Sequence, residues 1–154
     1  GEFENERSNV EQARAYGAVM TRTIDAIAHC RHPVVAQIHG ICVGGGAELA
    51  VWCDRRIMAA GGETGFGFPE VKIGIYPGWG GTARAPRIIG LSNAIEIITS
   101  GENIDAQTAA AMGLVSDVTL LEPPLATHLV SLALQPAGSL AARTFDEFCR
   151  ERSR

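Results

Sequence analysis

No run of about 18 consecutive apolar residues occurs in this 154-residue chain, so it offers no membrane-spanning helix. Dense Lys/Arg runs and basic residues interleaved with aromatics are missing too. With a net charge of -4, this argues against nucleic acid or another polyanion as partner. Cys30, Cys42, Cys53 and Cys149 show no C-x-x-C spacing, and a chain long enough to build a core does not need disulfide staples. They read as free thiols. His29, Cys30 and His32 lie close together, but their spacing matches no common site and no second ligand cluster follows, so no metal is expected. The glycines form no G-x-G-x-x-G fingerprint, Gly78-Trp79-Gly80-Gly81 lacks the Lys-Ser/Thr of a phosphate loop, and no G-x-S-x-G elbow occurs. Dinucleotide sites, phosphate loops and serine hydrolases lose their sequence support.

What is present suits one soluble domain over residues 1–154, with 46% hydrophobic and 19% charged residues. The expected location is cytoplasmic. Ser8-Asn9-Val10-Glu11 resembles a capping box, after which Ala13, Tyr16, Met20, Ile24 and Ile27 recur at helical spacing. Short strands are expected from Val34 to Ile38, Arg56 to Ala60 and Leu114 to Leu120, and Val71-Lys72-Ile73-Gly74-Ile75-Tyr76 also reads as strand-like. Between them lie a helix opened by the glycine triplet, one near Gly80 that carries Pro86, one capped by Ser92 and ended by Gly101, and one from Asp105 to Gly113. Two more helices are expected at 124–134 and 139–150. His39 is expected to be buried at its strand end, and Asp54 and Asp117 to serve caps or turns. This alternation makes the fold class α/β.

Two glutamates stand just behind glycine-rich turns, in Gly44-Gly45-Gly46-Ala47-Glu48 and in Phe66-Gly67-Phe68-Pro69-Glu70, and the second leads on to Pro77-Gly78-Trp79-Gly80-Gly81. Glycines at a helix start let backbone N–H groups approach a ligand closely, and the helix dipole favours a developing oxyanion there. Paired carboxylates beside such donors suit acid/base chemistry next to a polarised carbonyl. Taken singly, Glu48 also fits the helix dipole and Glu70 an ordinary turn.

The stretches HPVVAQIHGICVGGGAELAVWCD, FGFPEVKIGIYPGWGGTARAPRIIG and ITSGENIDAQTAAAMGLVSDV, from His32 to Val118, resemble the crotonase (enoyl-CoA hydratase/isomerase) superfamily. The resemblance implies a spiral core of ββα units. It also implies that Gly45 gives one N–H of an oxyanion hole for a thioester carbonyl, and that Glu48 and Glu70 hold a catalytic water and exchange protons with it. Gly44, Phe66, Phe68, Tyr76, Gly78 and Trp79 are the candidates for binding the acyl-CoA, with Arg84 or Arg87 as a local basic patch for its phosphates. Coenzyme A enters as part of the substrate and no separate cofactor is implied. The family's habit implies a homotrimer or hexamer.

Against the family pattern, the chain is expected to begin one motif late, without the N-terminal strands and the loop giving the second oxyanion N–H, and to lack the last C-terminal helices. The leading expectation is an enoyl-CoA hydratase. An enoyl-CoA double-bond isomerase working with one glutamate and a non-catalytic scaffold subunit are the alternatives.

Overall fold

The computed structural model describes residues 2–120, with side chains from 9 to 119. The helices expected at 124–134 and 139–150, together with His128 and Cys149, lie outside the described residues. The chain opens with helix α1 (Glu2–Ala28). It already runs through Ser8, so the capping-box motif stands inside the helix; residues 2–7 contain no breaker, and their glutamates suit a helix N-terminus. Of its apolar spacing, Ile24 is buried, while Tyr16 remains exposed.

Two units of strand, strand and helical turn follow. The first is β1 (Val35–Ile38), β2 (Ile41–Val43) and α2 (Gly45–Trp52). The second is β3 (Arg55–Ala60), β4 (Gly65–Gly67) and a 3-10 turn (Pro69–Ile73). Like strands of successive units pair in parallel, Val35 opposite Arg55 in one sheet and Val43 opposite Gly67 in the other. Each unit thus adds a strand to both sheets, which is the ββα spiral the resemblance implies. Helices α3 (Gly81–Ile89), α4 (Leu91–Ser100) and α5 (Ala106–Ala111) lead to β5 (Asp117–Leu120), which pairs in parallel with β3.

Several expectations need correction. Residues 71–76 form no strand: Pro69 opens a 3-10 turn, and Gly74, at φ 78°, closes it in the left-handed conformation that glycine adopts readily. Strands β2 and β4 were not expected at all. Ser92 is the second residue of α4, whose cap is Gly90. The last strand is shorter than Leu114 to Leu120, because Leu114 and Val115 are buried in the core before it starts. His39 follows directly on the end of β1 and is exposed, since the alternation that buries Ile38 turns the next side chain outward. Asp105 does cap α5, accepting from the Thr108 N–H at 2.7 Å. Asp54 works in a turn, its Oδ2 accepting from the Val34 N–H at 2.7 Å.

The core gathers Ile38, Val51, Met58, Phe66, Phe68 and Leu114 between the sheets and helices. Into it reaches the guanidinium of Arg56, which donates to the carbonyls of Leu114 (2.6 Å), Cys53 (2.8 Å) and Ala50 (3.3 Å). The last two lie at the C-terminal end of α2, where a cation is favoured. Arg56 thereby ties α2 to β3 and to the approach of β5.

Candidate functional site

Helix α2 starts directly where β2 ends. Its cap, Gly44, has φ 56° and ψ -129°, a conformation costly for a residue with a Cβ, and its N–H donates to the Gly67 carbonyl at 3.3 Å. Gly44 and Gly45 border a cavity of about 450 Å³. The first N–H groups of a helix find no partner within it, so this end of α2 presents donors and the positive end of its dipole.

Glu48 sits one turn further along and is 1% exposed. Its Oε1 accepts two backbone hydrogen bonds, from the N–H of Trp79 and of Gly81, each 2.8 Å long. Burial pushes its carboxyl above the ordinary carboxylate range; the N–H groups of Gly81, Trp79 and Gly78 pull it down, and the neighbouring Glu70 adds to the rise. Glu70 arrives from the other ββα unit, on the 3-10 turn against which α4 packs. It is 8% exposed, and its buried Oε2 has no hydrogen-bond partner among the described residues. A side chain on Gly44 would put its Cβ 3.6 Å from Glu70 Oε1, so the carboxylate lies over the bare backbone at the start of α2. Both glutamates border the cavity.

Most of the expected binding residues border it as well: Gly44, Tyr76, Gly78 and Trp79. Trp79 closes one side, its ring so near Gly45 that a Cβ there would stand 3.0 Å from Cζ3, and it meets Tyr16 of α1 edge-on at 5.7 Å. Tyr76 is a rim residue, 72% exposed. Phe66 and Phe68 are not cavity residues; both are fully buried and pack edge-to-face at 5.5 Å. The reason is the position of β4: it pairs with β2 on one side, and Phe66 bridges to Ile104 on the other, which encloses the aromatic pair in the core.

Residues the sequence did not point to complete the site. Lys72 borders the cavity and pairs with Glu102 at 2.9 Å; an isolated Lys in an apolar run carries no signal for that place. Trp52 donates from Nε1 to the Trp79 carbonyl at 2.8 Å. The signal for it was available, because it stands at helical spacing from Glu48. Neither of the expected basic residues lines the cavity: the Arg84 guanidinium lies over the Trp52 ring, 4.9 Å from its centroid, and Arg87 is exposed on α3. His29 lies beside Asp25, Nδ1 to Oδ1 3.1 Å, and among the described residues no three His, Cys, Asp or Glu side chains gather around a metal position. Among the same residues no helix is long and apolar enough to cross a membrane.

Residues 2–151 match the family described as enoyl-CoA hydratase/isomerase. The fatty acid oxidation complex subunit alpha of Shewanella sp. (strain W3-18-1) is 44% identical over 102 residues, covering 66% of this chain and 14% of the relative. An enoyl-CoA hydratase/carnithine racemase from Magnetospirillum magneticum superposes with a TM-score of 0.73 at 35% identity, over 97% of this chain and 55% of the other. An enoyl-CoA hydratase structure from Geobacillus kaustophilus HTA426 gives 0.71 at 32% identity, over 86% and 50%. The chain therefore spans about one-seventh of the curated relative and about half of the solved chains.

Proposed function

Because the chain belongs to the enoyl-CoA hydratase/isomerase family, we propose that it adds water across the double bond of a 2-enoyl-CoA thioester. The observation that carries this reading is the meeting of Glu48 and Glu70, two buried carboxyl groups from successive ββα units, at one cavity beside the start of α2. Glu70 Oε2, which has no hydrogen-bond partner among the described residues, would take one from a bound water. As the water oxygen bonds to C3, one glutamate accepts its proton; the pair then delivers a proton to C2, and the C2=C3 double bond is consumed. Charge passes through the thioester oxygen as an enolate, where the Gly45 N–H would hold it more strongly than the neutral carbonyl. Tyr76, Gly78 and Trp79 are suited to line the acyl path. Coenzyme A comes with the substrate, and the chemistry calls for no other cofactor. A cytoplasmic location and a homotrimer or hexamer belong to the same reading, and a fatty acyl chain is supported by relatives named for fatty acid oxidation.

The test is loss of the conjugated-thioester absorbance of crotonyl-CoA and longer enoyl-CoAs with the protein in its natural length. Turnover is expected, and Glu48→Gln and Glu70→Gln are each expected to cost about 10²- to 10⁴-fold in kcat. No hydration of any chain length would sink the reading. One feature favours isomerisation as a second reading: Glu48 Oε1 already holds two backbone N–H groups, whereas Glu70 keeps an oxygen without a partner among the described residues. Double-bond migration that survives Glu48→Gln and disappears in Glu70→Gln would decide for it.

A further inference from the structure

Trp52 stands outside the cavity, yet its indole is bonded to the turn that holds Glu48. Its Nε1 donates to the Trp79 carbonyl at 2.8 Å, and the N–H of that same Trp79 donates to Glu48 Oε1 at 2.8 Å. Side chains four residues apart on a helix share one face, so Glu48 and Trp52 grip a single residue of the neighbouring turn through its two backbone groups. The indole is itself held. Arg84 of α3 covers its ring, and at Gly80 a Cβ would come within 2.6 Å of Nε1, so the ring lies flush against the backbone between the two N–H donors.

We propose that Trp52 is a positioning residue: it fixes the turn at 77–81 so that the N–H groups of Trp79 and Gly81 stay aimed at Glu48 Oε1, and thereby sets the orientation and proton affinity of that carboxyl group. The kinetic consequence rests on the hydration reading; the clamp itself does not. The groups facing Glu48 are the N–H groups of Gly78, Trp79 and Gly81 from the turn and the Glu70 carboxylate from the 3-10 turn. Lys72 borders the same cavity, and Arg84 faces Trp52. The N–H donors hold the proton affinity of Glu48 down against burial and Glu70. Loosening the turn therefore moves it up.

The experiment uses the protein in its natural length and Trp52→Phe, which keeps an aromatic ring and removes the donor. Protonation of Glu48 is followed by difference infrared spectroscopy across pH, using the carboxyl band that Glu48→Gln abolishes. The expected result is a midpoint at higher pH, with kcat down about three- to ten-fold, the worth of one buried hydrogen bond, and KM nearly unchanged. An unmoved midpoint overturns the proposal, whatever happens to the rate. Should Trp52→Phe not fold, Arg84→Met decides in the same way: it uncovers the indole, a smaller shift in the same direction supports the clamp, and none refutes it. A midpoint that moves in a protein without hydratase turnover leaves the clamp standing and removes the hydration reading instead.

Discussion

The N–H of Gly81 points at Glu48 Oε1 from 2.8 Å, and a methyl group on Gly81 would lie 3.1 Å from that same oxygen. It would also meet Pro77 Cβ at 2.8 Å and the Phe68 ring at 2.9 Å. None of these neighbours is the loose end of a flexible side chain. Gly81→Ala is therefore expected to destabilise the fold by about 1–3 kcal/mol, as overpacking does, and to lower kcat by pushing α3 away from Glu48. Urea denaturation together with steady-state kinetics reads both effects. Unchanged stability would mean that the contact relaxes freely.

Glu48 makes stability depend on pH. Its folded-state carboxyl titrates above the ordinary value of 4.5, chiefly because of burial. The unfolded chain therefore ionises first as pH rises, and the favourable contribution present below 4.5 is lost as pH climbs through the folded value. Glu48→Gln keeps an oxygen to accept from Trp79 and Gly81 and removes the titration. Its stability relative to the parent should rise as pH climbs from 4.5 through the folded value and level off below 4.5, in denaturant titrations at a series of pH values. A difference that stays constant across that window would contradict the assignment.

Arg56 is a buried cation that donates to three backbone carbonyls, those of Leu114, Cys53 and Ala50. Arg56→Met should cost roughly 2–3 kcal/mol, since charged hydrogen bonds to buried carbonyls are lost, although the Ala50 carbonyl still accepts the Cys53 N–H at 3.2 Å. Arg56→Lys should recover only part of this, because one ammonium cannot reproduce the fork of the guanidinium. Equal stability of the lysine variant and the parent in chemical denaturation would show that the charge alone suffices.

Cys42 should be a poor nucleophile in the folded protein. Burial, helped by the nearby Cys53, pushes its thiol up to about 11. At pH 8 its thiolate fraction is then on the order of one in a thousand. Alkylation by iodoacetamide, followed by peptide mass mapping, should be slow in the native protein and fast in urea. Rapid native labelling would refute the shift.

Glu48 and Glu70 were legible in the sequence because each follows a local feature, a glycine triplet or a proline, that forces the backbone into a defined turn. Asp105 was legible because it is a capping residue type just ahead of a run of helix-forming residues. Strands β2 and β4 were not, since three residues are too few to show a period of two and their pairing joins positions 24 apart in the chain. The run from Val71 to Tyr76 was misleading: Val71, Ile73, Ile75 and Tyr76 look like a buried strand by composition, but all are exposed around a 3-10 turn and the loop after it. Phe66 and Phe68 failed as cavity residues because an aromatic beside a glycine turn gives no hint of which side of the sheet it faces. The spacing shows that Trp52 shares a helix face with Glu48, but its bond to Trp79 and the place of Lys72 arise only after folding brings turn and helix together.

A single residue, Gly44, joins strand β2 to α2, and its N–H bonds to the Gly67 carbonyl. The parallel register of β2 on β4 therefore acts as the ruler for the whole cavity: a slip of one residue would carry Glu48 about 3.3 Å along the strand axis. Nothing in this part of the site can loosen without breaking sheet hydrogen bonds. The amide of Gly44 should accordingly exchange its hydrogen only when the sheet itself opens, and heat should remove site and sheet in a single step.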